Sequence, residues 1–284
     1  MLKIGFIGAG TVGTALAVLL NRKGYPVVSV SSRSKSSAEK LAKQVKGCTV
    51  SNSSQEVADT AELVFITTPD DVIGKATAEV KWHSSQSVVH CSGAASTDIL
   101  TPARQASAHV GSIHPLQTFA GVEQAIANIP GSTFAIEAEE PLLSTLKEIA
   151  ASMDGEYIEL KGSDKVLYHA AAVIACNYLV TLVKLATDLW QTFSVPPEQA
   201  TRALLPLIQG TLNNIDKIGI PQCLTGPIAR GDTGTISKHL DSLQRVAPVL
   251  LPTYKELGRQ TIPISLAKGK IDEKQAQELM ALLK

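Results

Sequence analysis

The sequence predicts an α/β protein with an open, doubly wound domain over residues 1–160 and an all-helical domain over residues 161–284. Three observations predict it. A glycine-rich turn follows an apolar strand and opens an apolar helix at the very start of the chain. Short β-branched runs then alternate with helical patterns up to about residue 160, the signature of βαβ units. Beyond Gly162 the periodicity is helical throughout, and nothing reads as a run of strands.

Strands are expected over residues 2–8, 27–32, 63–68, 87–91, 110–113, 133–136 and 157–160. Their interiors (IGFI, VVSV, LVFI) are nearly continuous apolar runs, as in a parallel sheet covered by helices on both faces. Helices are expected between them over 12–23, 36–44, 71–79, 97–105 and 141–153. Right-handed crossovers place the first three strands in the usual doubly wound order. The second half predicts helices over 164–193, 196–217, 235–244, 248–258 and 272–283, with Pro196-Pro197 at a helix start and Gly210, Gly219 and Gly258 at turns.

Composition narrows the chemistry. The chain has 284 residues, 26 basic and 26 acidic side chains, and a formal net charge of +0. A mean hydropathy of +0.12 describes a soluble globular protein. It carries no basic field to capture nucleic acid or an anionic membrane, so a small molecule is the expected partner. Cys48, Cys91, Cys176 and Cys223 are scattered and form no CxxC pair, which argues against a zinc site and a disulfide framework. His90, His109 and His114 match no common ligand spacing, so no metal is expected. The N-terminus reads as a strand rather than a signal peptide. The apolar stretches, such as 170–175, read as too short to span a bilayer, and a cytoplasmic location is expected.

The turn Gly8-Ala9-Gly10-Thr11-Val12-Gly13 has the GxGxxG spacing in the context its physics requires. Gly8 permits the tight turn, Gly10 admits a pyrophosphate to the backbone, and Gly13 allows close helix–strand packing. The free amides at the helix start then bind phosphate. This is a Rossmann-type fingerprint for a dinucleotide. Which dinucleotide is read from the second strand, where NAD-binding folds place an acid that holds the ribose 2′-hydroxyl. Here the segment is Ser31-Ser32-Arg33-Ser34-Lys35. Arg33 can pair with a 2′-phosphate, with Ser32 and Ser34 as further donors, so NADP(H) is expected and NAD(H) is the alternative. Ser34 can equally cap the helix that follows.

Thr68-Pro69 and Ser92-Gly93 end two further strands and face the same cleft, since ligands of open α/β sheets sit beyond the carboxyl ends of strands. Ser92 is a candidate donor to substrate or nicotinamide, or a serine satisfied by its own turn. His114 follows a strand and precedes Pro115, and can act as an acid or a carbonyl polariser, or be a structural histidine. At the start of the long helix Lys165 and His169 are four apart and share a face. Both can handle a proton while hydride moves. Asn177 lies two turns further along and can orient a substrate; Arg230 can clamp a carboxylate or pair with Asp232, itself a candidate helix cap.

With GFIGAGTVGTALA, HCSGA, VGSIHPLQTF, DKVLYHAAAVIACNYLV and TGPIARGD in view, the chain resembles a bacterial family that pairs a Rossmann-like domain with a helical domain of unknown function. More distantly it is similar to β-hydroxyacid dehydrogenases, pyrroline-5-carboxylate reductases and deazaflavin-dependent NADP reductases. The resemblance implies a helical domain like that of 6-phosphogluconate dehydrogenase, and a homodimer formed through it. It also implies acid–base work for Lys165, with His169 where the hydroxyacid enzymes have Asn, and a substrate-binding role for Ser92. That departure, and SIHPLQTF in place of those enzymes' glycine-rich substrate loop, remove any implied hydroxyacid specificity. The expected function is an NADP(H)-dependent oxidoreductase acting on a small carbonyl, imine or hydroxy compound. A non-catalytic dinucleotide sensor is the alternative from another class, and a dehydratase or isomerase that retains its nucleotide is a third.

Overall fold

The computed structural model describes residues 2–284 and divides into two compact units, Met1–Cys176 and Asn177–Lys284. The first unit holds an eight-stranded sheet in the order β3-β2-β1-β4-β5-β6-β7-β8. Its strands are β1 (Ile4–Ile7), β2 (Val27–Ser31), β3 (Thr49–Val50), β4 (Leu63–Ile66), β5 (Ser87–His90), β6 (His109–Pro115), β7 (Thr133–Ala138) and β8 (Glu156–Glu159). The helices between them are α1 (Thr11–Arg22), α2 (Lys35–Gln44), α3 (Ser54–Thr60), α4 (Asp70–Ala78), α5 (Thr101–Gln105), α6 (Val122–Asn128) and α7 (Leu142–Ser152).

β1 is buried along its whole length and pairs in parallel with β2 and β4. Alternate side chains feed the two faces. Ile4 and Phe6 join Leu16, Leu20 and Leu41 on one face, where Phe6 stacks on Phe65 at 5.0 Å. Ile7 joins Val64, Ile66 and Val88 on the other. Gly5 lets α3 approach: a Cβ there would lie 2.6 Å from Val57 Cγ1.

One expectation is corrected in this sheet. β7 pairs with β6 antiparallel, not parallel. The chain leaves β6, makes the short α6 and re-enters at the same end, with Leu116 N–H donating to Thr133 O at 2.9 Å, so the strand can only run back. Three elements were also absent from the sequence reading, β3, α3 and the seven-residue α6. A two-residue strand has no period to detect. For α3, the Ser53/Glu56 spacing was the available signal, and Ser53 Oγ does accept from Glu56 N–H at 3.2 Å.

The first unit extends to Cys176, past the boundary expected at 160/161. It takes in β8, a short 3-10 turn and α8 (Lys165–Ala172), because side chains of α8 bond to the sheet, as described below. A π-helical segment, Val173–Asn177, follows.

The second unit is helical: α9 (Tyr178–Gln191), α10 (Pro197–Ile218), α11 (Thr233–Val246), α12 (Leu251–Lys268) and α13 (Glu273–Leu282). Ile236, Ile262, Leu279 and Leu283 form its small core. Gly219, with φ +77, ends α10 as expected. Gly210 and Gly258 do not mark turns; they lie inside α10 and α12. At Gly258 the reason is packing, since a Cβ there would meet Leu283 Cδ1 at 2.9 Å, and α12 runs on to Lys268. The apolar stretches are also longer than the sequence reading held. The helical run Gly162–Gln191 has 30 residues and a mean hydropathy of 1.8 in its most apolar window, long and apolar enough to cross a membrane.

Candidate active site

The glycine turn has the shape its spacing implies. Gly8 has φ +112, and a Cβ there would meet the Thr67 backbone at 2.7 Å. At Gly13 a Cβ would overlap Thr67 Oγ1 and lie 2.8 Å from Gly8 O. Thr67 is the clamp, its hydroxyl donating to Gly8 O at 2.9 Å. Gly10 differs from both, because nothing lies within 4 Å of its Cβ position. No side chain caps α1, whose first-turn amides therefore face that open space across Ala9, Thr11 and Val12. At the ends of β2 and β4, the buried Ser31 Oγ and Thr68 Oγ1 have no hydrogen-bond partner. Open space over one glycine, uncapped amides and two orphaned hydroxyls fit a phosphate-bearing nucleotide.

Beyond β2, Ser32 is half-buried and Arg33 exposed, with no carboxylate in ion-pair reach among the described residues. Ser34 caps α2, accepting from Ser37 N–H at 3.3 Å. Pro69 stands at the N-cap of α4. Ser92 is spent within its turn: its hydroxyl donates to Asp70 Oδ2 at 2.6 Å and accepts from Ala94 and Ala95 N–H at 3.2 and 3.0 Å. That is the turn-serine alternative, and it leaves the hydroxyl no free proton to donate.

Gly93 gathers the remaining groups. A Cβ at that position would lie 2.8 Å from His169 Nδ1 and 2.9 Å from His114 Nε2, so two imidazole nitrogens converge on the space over one glycine. The two rings stand at 81° with centroids 6.2 Å apart. His114 Nδ1 is 2.8 Å from Tyr168 Oη, and His169 Nδ1 is buried without a partner. Burial, then the charges of His169 and Lys165, hold His114 down at about 4. Burial pushes Tyr168 up to about 12. At neutral pH both are uncharged; with Tyr168 donating to Nδ1, the His114 ring proton sits on Nε2, facing that space.

Lys165 does not join this opening. It is 1% exposed, and its Nζ donates to Ser112 Oγ of β6 at 2.5 Å and lies 3.7 Å from Glu137 Oε2 of β7. Burial lowers its pKa, against the opposing pull of Glu137. Lys165 and His169 share a face, as expected, but one is buried against the sheet and the other lines the space over Gly93. Asn177 is exposed at the end of the π segment, and Arg230 is exposed with its guanidinium 3.9 Å from Asp232, which caps α11 through Thr235. Sequence reasoning missed Thr67, Ser112, Glu137 and Tyr168. Tyr168, one residue from His169, and Ser112, two before His114, stood inside motifs already singled out.

The buried histidines set an acid limit. His90, fully buried, is held down at about 3 by desolvation and then by Lys165. Both folded values lie below the unfolded value near 6.5, so the unfolded chain binds more protons between those limits. The stability they contribute is complete above about pH 6.5 and is lost as pH falls towards 4, at up to about 1.4 kcal/mol per pH unit for each group. Urea unfolding at pH 7, 5.5 and 4.5 should show that decline, with a shallower slope in His90→Asn; an equal slope in the variant would contradict the assignment.

The comparisons agree with this architecture. Residues 1–115 match the Rossmann-like domain model, and residues 132–261 match the model described as Domain of unknown function (DUF2520). Two successive stretches of the chain thus match a Rossmann-like domain and a DUF2520 domain, the pairing its motifs implied. A Bacteroides fragilis protein provisionally assigned as an NADP oxidoreductase is 27% identical, covering 92% of this chain and 98% of its own, with a TM-score of 0.73. A Thermotoga maritima protein is 26% identical, covering 94% and 99%, with a TM-score of 0.74. The Plasmodium falciparum pyrroline carboxylate reductase, solved with NADP bound, shares the fold at 16% identity, covering 100% and 98%, with a TM-score of 0.59. No curated protein matches the sequence.

Proposed function

We propose that the chain is an NADP(H)-dependent oxidoreductase that acts on a small carbonyl, imine or hydroxy compound over Gly93. The observation that carries this reading is the pairing of a nucleotide-shaped turn with two imidazoles converging on one point of the same unit. Ala9 to Gly13 would hold the pyrophosphate, Ser32 to Ser34 with Arg33 the 2′-phosphate, and Thr68, Pro69 and Gly93 would line the path between them. The bound nicotinamide supplies or accepts hydride. His114 Nε2 and His169 Nδ1 hold the proton at the reacting oxygen or nitrogen, and Tyr168 fixes the His114 tautomer. Lys165 stays out of the reacting space, and its charge adds to the burial that keeps His114 neutral. The Bacteroides fragilis relative, as an assigned NADP oxidoreductase, supports the cofactor.

Stopped-flow oxidation of NADPH across a panel of aldehydes, ketones and cyclic imines tests the activity. Tight NADPH binding with no turnover on any of them would favour a sensor. Arg33→Ala tests the cofactor separately: it should weaken NADP(H) by roughly 10-fold, the ~1.5 kcal/mol of a charge-assisted pair, and leave NAD(H) unchanged. Equal losses for both would remove the 2′-phosphate role.

The reading includes a homodimer built on the helical unit. Val180, Leu205 and Leu207 are 72, 53 and 67% exposed, more apolar surface than a solitary soluble helix pair leaves open. A second copy fits better than a bilayer. The run Gly162–Gln191 is fixed at its start by the polar contacts of Lys165 and Tyr168 to the sheet, and it carries the Lys184–Asp188 ion pair. Light scattering should give twice the 30.0 kDa chain mass. A monomer would refute the dimer, and co-sedimentation with neutral vesicles would favour the membrane.

A further inference from the structure

We propose that Glu137 is the positioning residue for Lys165: it is the counter-ion that keeps this buried ammonium charged and links it to the cavity that Glu137 lines. The inference rests on the site proposed above and extends it to a residue outside the reacting space.

The geometry is specific. Lys165 is 1% exposed, and Ser112, its closest partner, is neutral. Glu137 is the carboxylate that reaches it, at 3.7 Å. That carboxylate is held in place: it accepts from Thr97 N–H at 3.1 Å and from Thr97 Oγ1–H at 2.9 Å. Arg104 in turn donates to Thr97 Oγ1 at 3.0 Å. Gly162 leaves it room, since a Cβ there would stand 2.8 Å from Glu137 Oε1. On its other side Glu137 lines a cavity of about 500 Å³ shared with Thr97, Arg104 and His109. The carboxylate is 16% exposed where the ammonium is 1%.

An isolated ammonium in such a place would shed its proton, because desolvation disfavours the charged form. The groups facing Lys165 divide by sign. Glu137, Cys91 and Asp70 favour its charge, with Glu137 the largest of the three. Lys165 in turn disfavours protonation of His90 on β5 and of His114 on β6. Glu137 therefore acts on the site through Lys165: the charge it preserves adds to the burial that keeps His114 neutral, with its ring proton available.

The test reads Lys165 itself. The full-length protein is labelled with ¹³C at the lysine ε-carbons, the Lys165 resonance is assigned by its loss in Lys165→Arg, and pH titrations are compared. Glu137→Gln should lower the Lys165 midpoint by at least one pH unit, a tenfold loss of proton affinity. Glu137→Asp should recover part of that shift, and Glu139→Gln, which lines the same cavity, should leave the midpoint in place. An unchanged midpoint in Glu137→Gln would overturn the proposal, as would an equal shift in Glu139→Gln. Should Glu137→Gln fail to fold, Glu137→Asp carries the test, and an unchanged midpoint there overturns it too. No turnover is needed, so failure of the oxidoreductase reading and failure of this inference give different results.

Discussion

Gly10→Leu should leave the fold intact and weaken NADPH binding by about 100-fold or more, the ~2.7 kcal/mol of one or two lost amide–phosphate hydrogen bonds to a charged group. The two neighbouring glycines explain why this substitution is informative. A side chain at Gly13 must displace Thr67 or the Gly8 carbonyl, so Gly13→Val should cost about 1–3 kcal/mol of stability through overpacking. Gly10 has φ −77, an ordinary value for any residue, and nothing within 4 Å of its Cβ position. No demand of the fold calls for glycine there. What calls for it is the space over the first amides of α1, which a leucine would fill. Calorimetric titration with NADPH, beside urea unfolding of the same variant, separates the two effects. Unimpaired NADPH binding in a stable Gly10→Leu protein would place the nucleotide elsewhere.

The second large effect belongs to the imidazoles over Gly93. His114→Phe and His169→Phe should each lower turnover by roughly 10²- to 10⁴-fold, the range for loss of a positioned acid–base group, while NADPH affinity stays within a few-fold. Tyr168→Phe should be milder, since it removes only the group that fixes the His114 tautomer. The pH dependence gives an independent check. His114 is neutral down to about pH 4, so turnover should not fall between pH 8 and pH 6 through protonation of this ring. Loss of activity centred near 6.5 that disappears in His114→Phe would contradict the buried, neutral imidazole.

How much of this was legible in the sequence follows from how local each determinant is. The glycine turn is local: strand, turn and helix are contiguous, and Gly8 and Gly13 each have a nearby geometric reason. The Ser34 cap and the Asp232 cap are local too, and both are present. The order of the first three expected strands followed from right-handed crossovers, but the reversal of β7 did not, because it depends on where the chain re-enters the sheet after α6. Gly258 misled for a related reason. A glycine that admits a neighbouring leucine looks the same in sequence as one that ends a helix. At the site, Lys165, His114 and His169 were identified by position and residue type, yet their division of labour was not. Whether a lysine lines a cleft or is buried on a strand depends on Ser112 and Glu137, 53 and 28 residues before it (165 − 112 and 165 − 137). Ser92 was ambiguous until Asp70 proved to be its partner.

The most direct test of the account is a crystal structure of the protein with NADPH and a bound carbonyl compound. The account predicts the pyrophosphate on the Gly8–Gly13 turn and the carbonyl oxygen between His114 Nε2 and His169 Nδ1, with nicotinamide C4 facing the carbonyl carbon over Gly93. A nicotinamide directed away from Gly93, or a carbonyl held by neither imidazole, would contradict it.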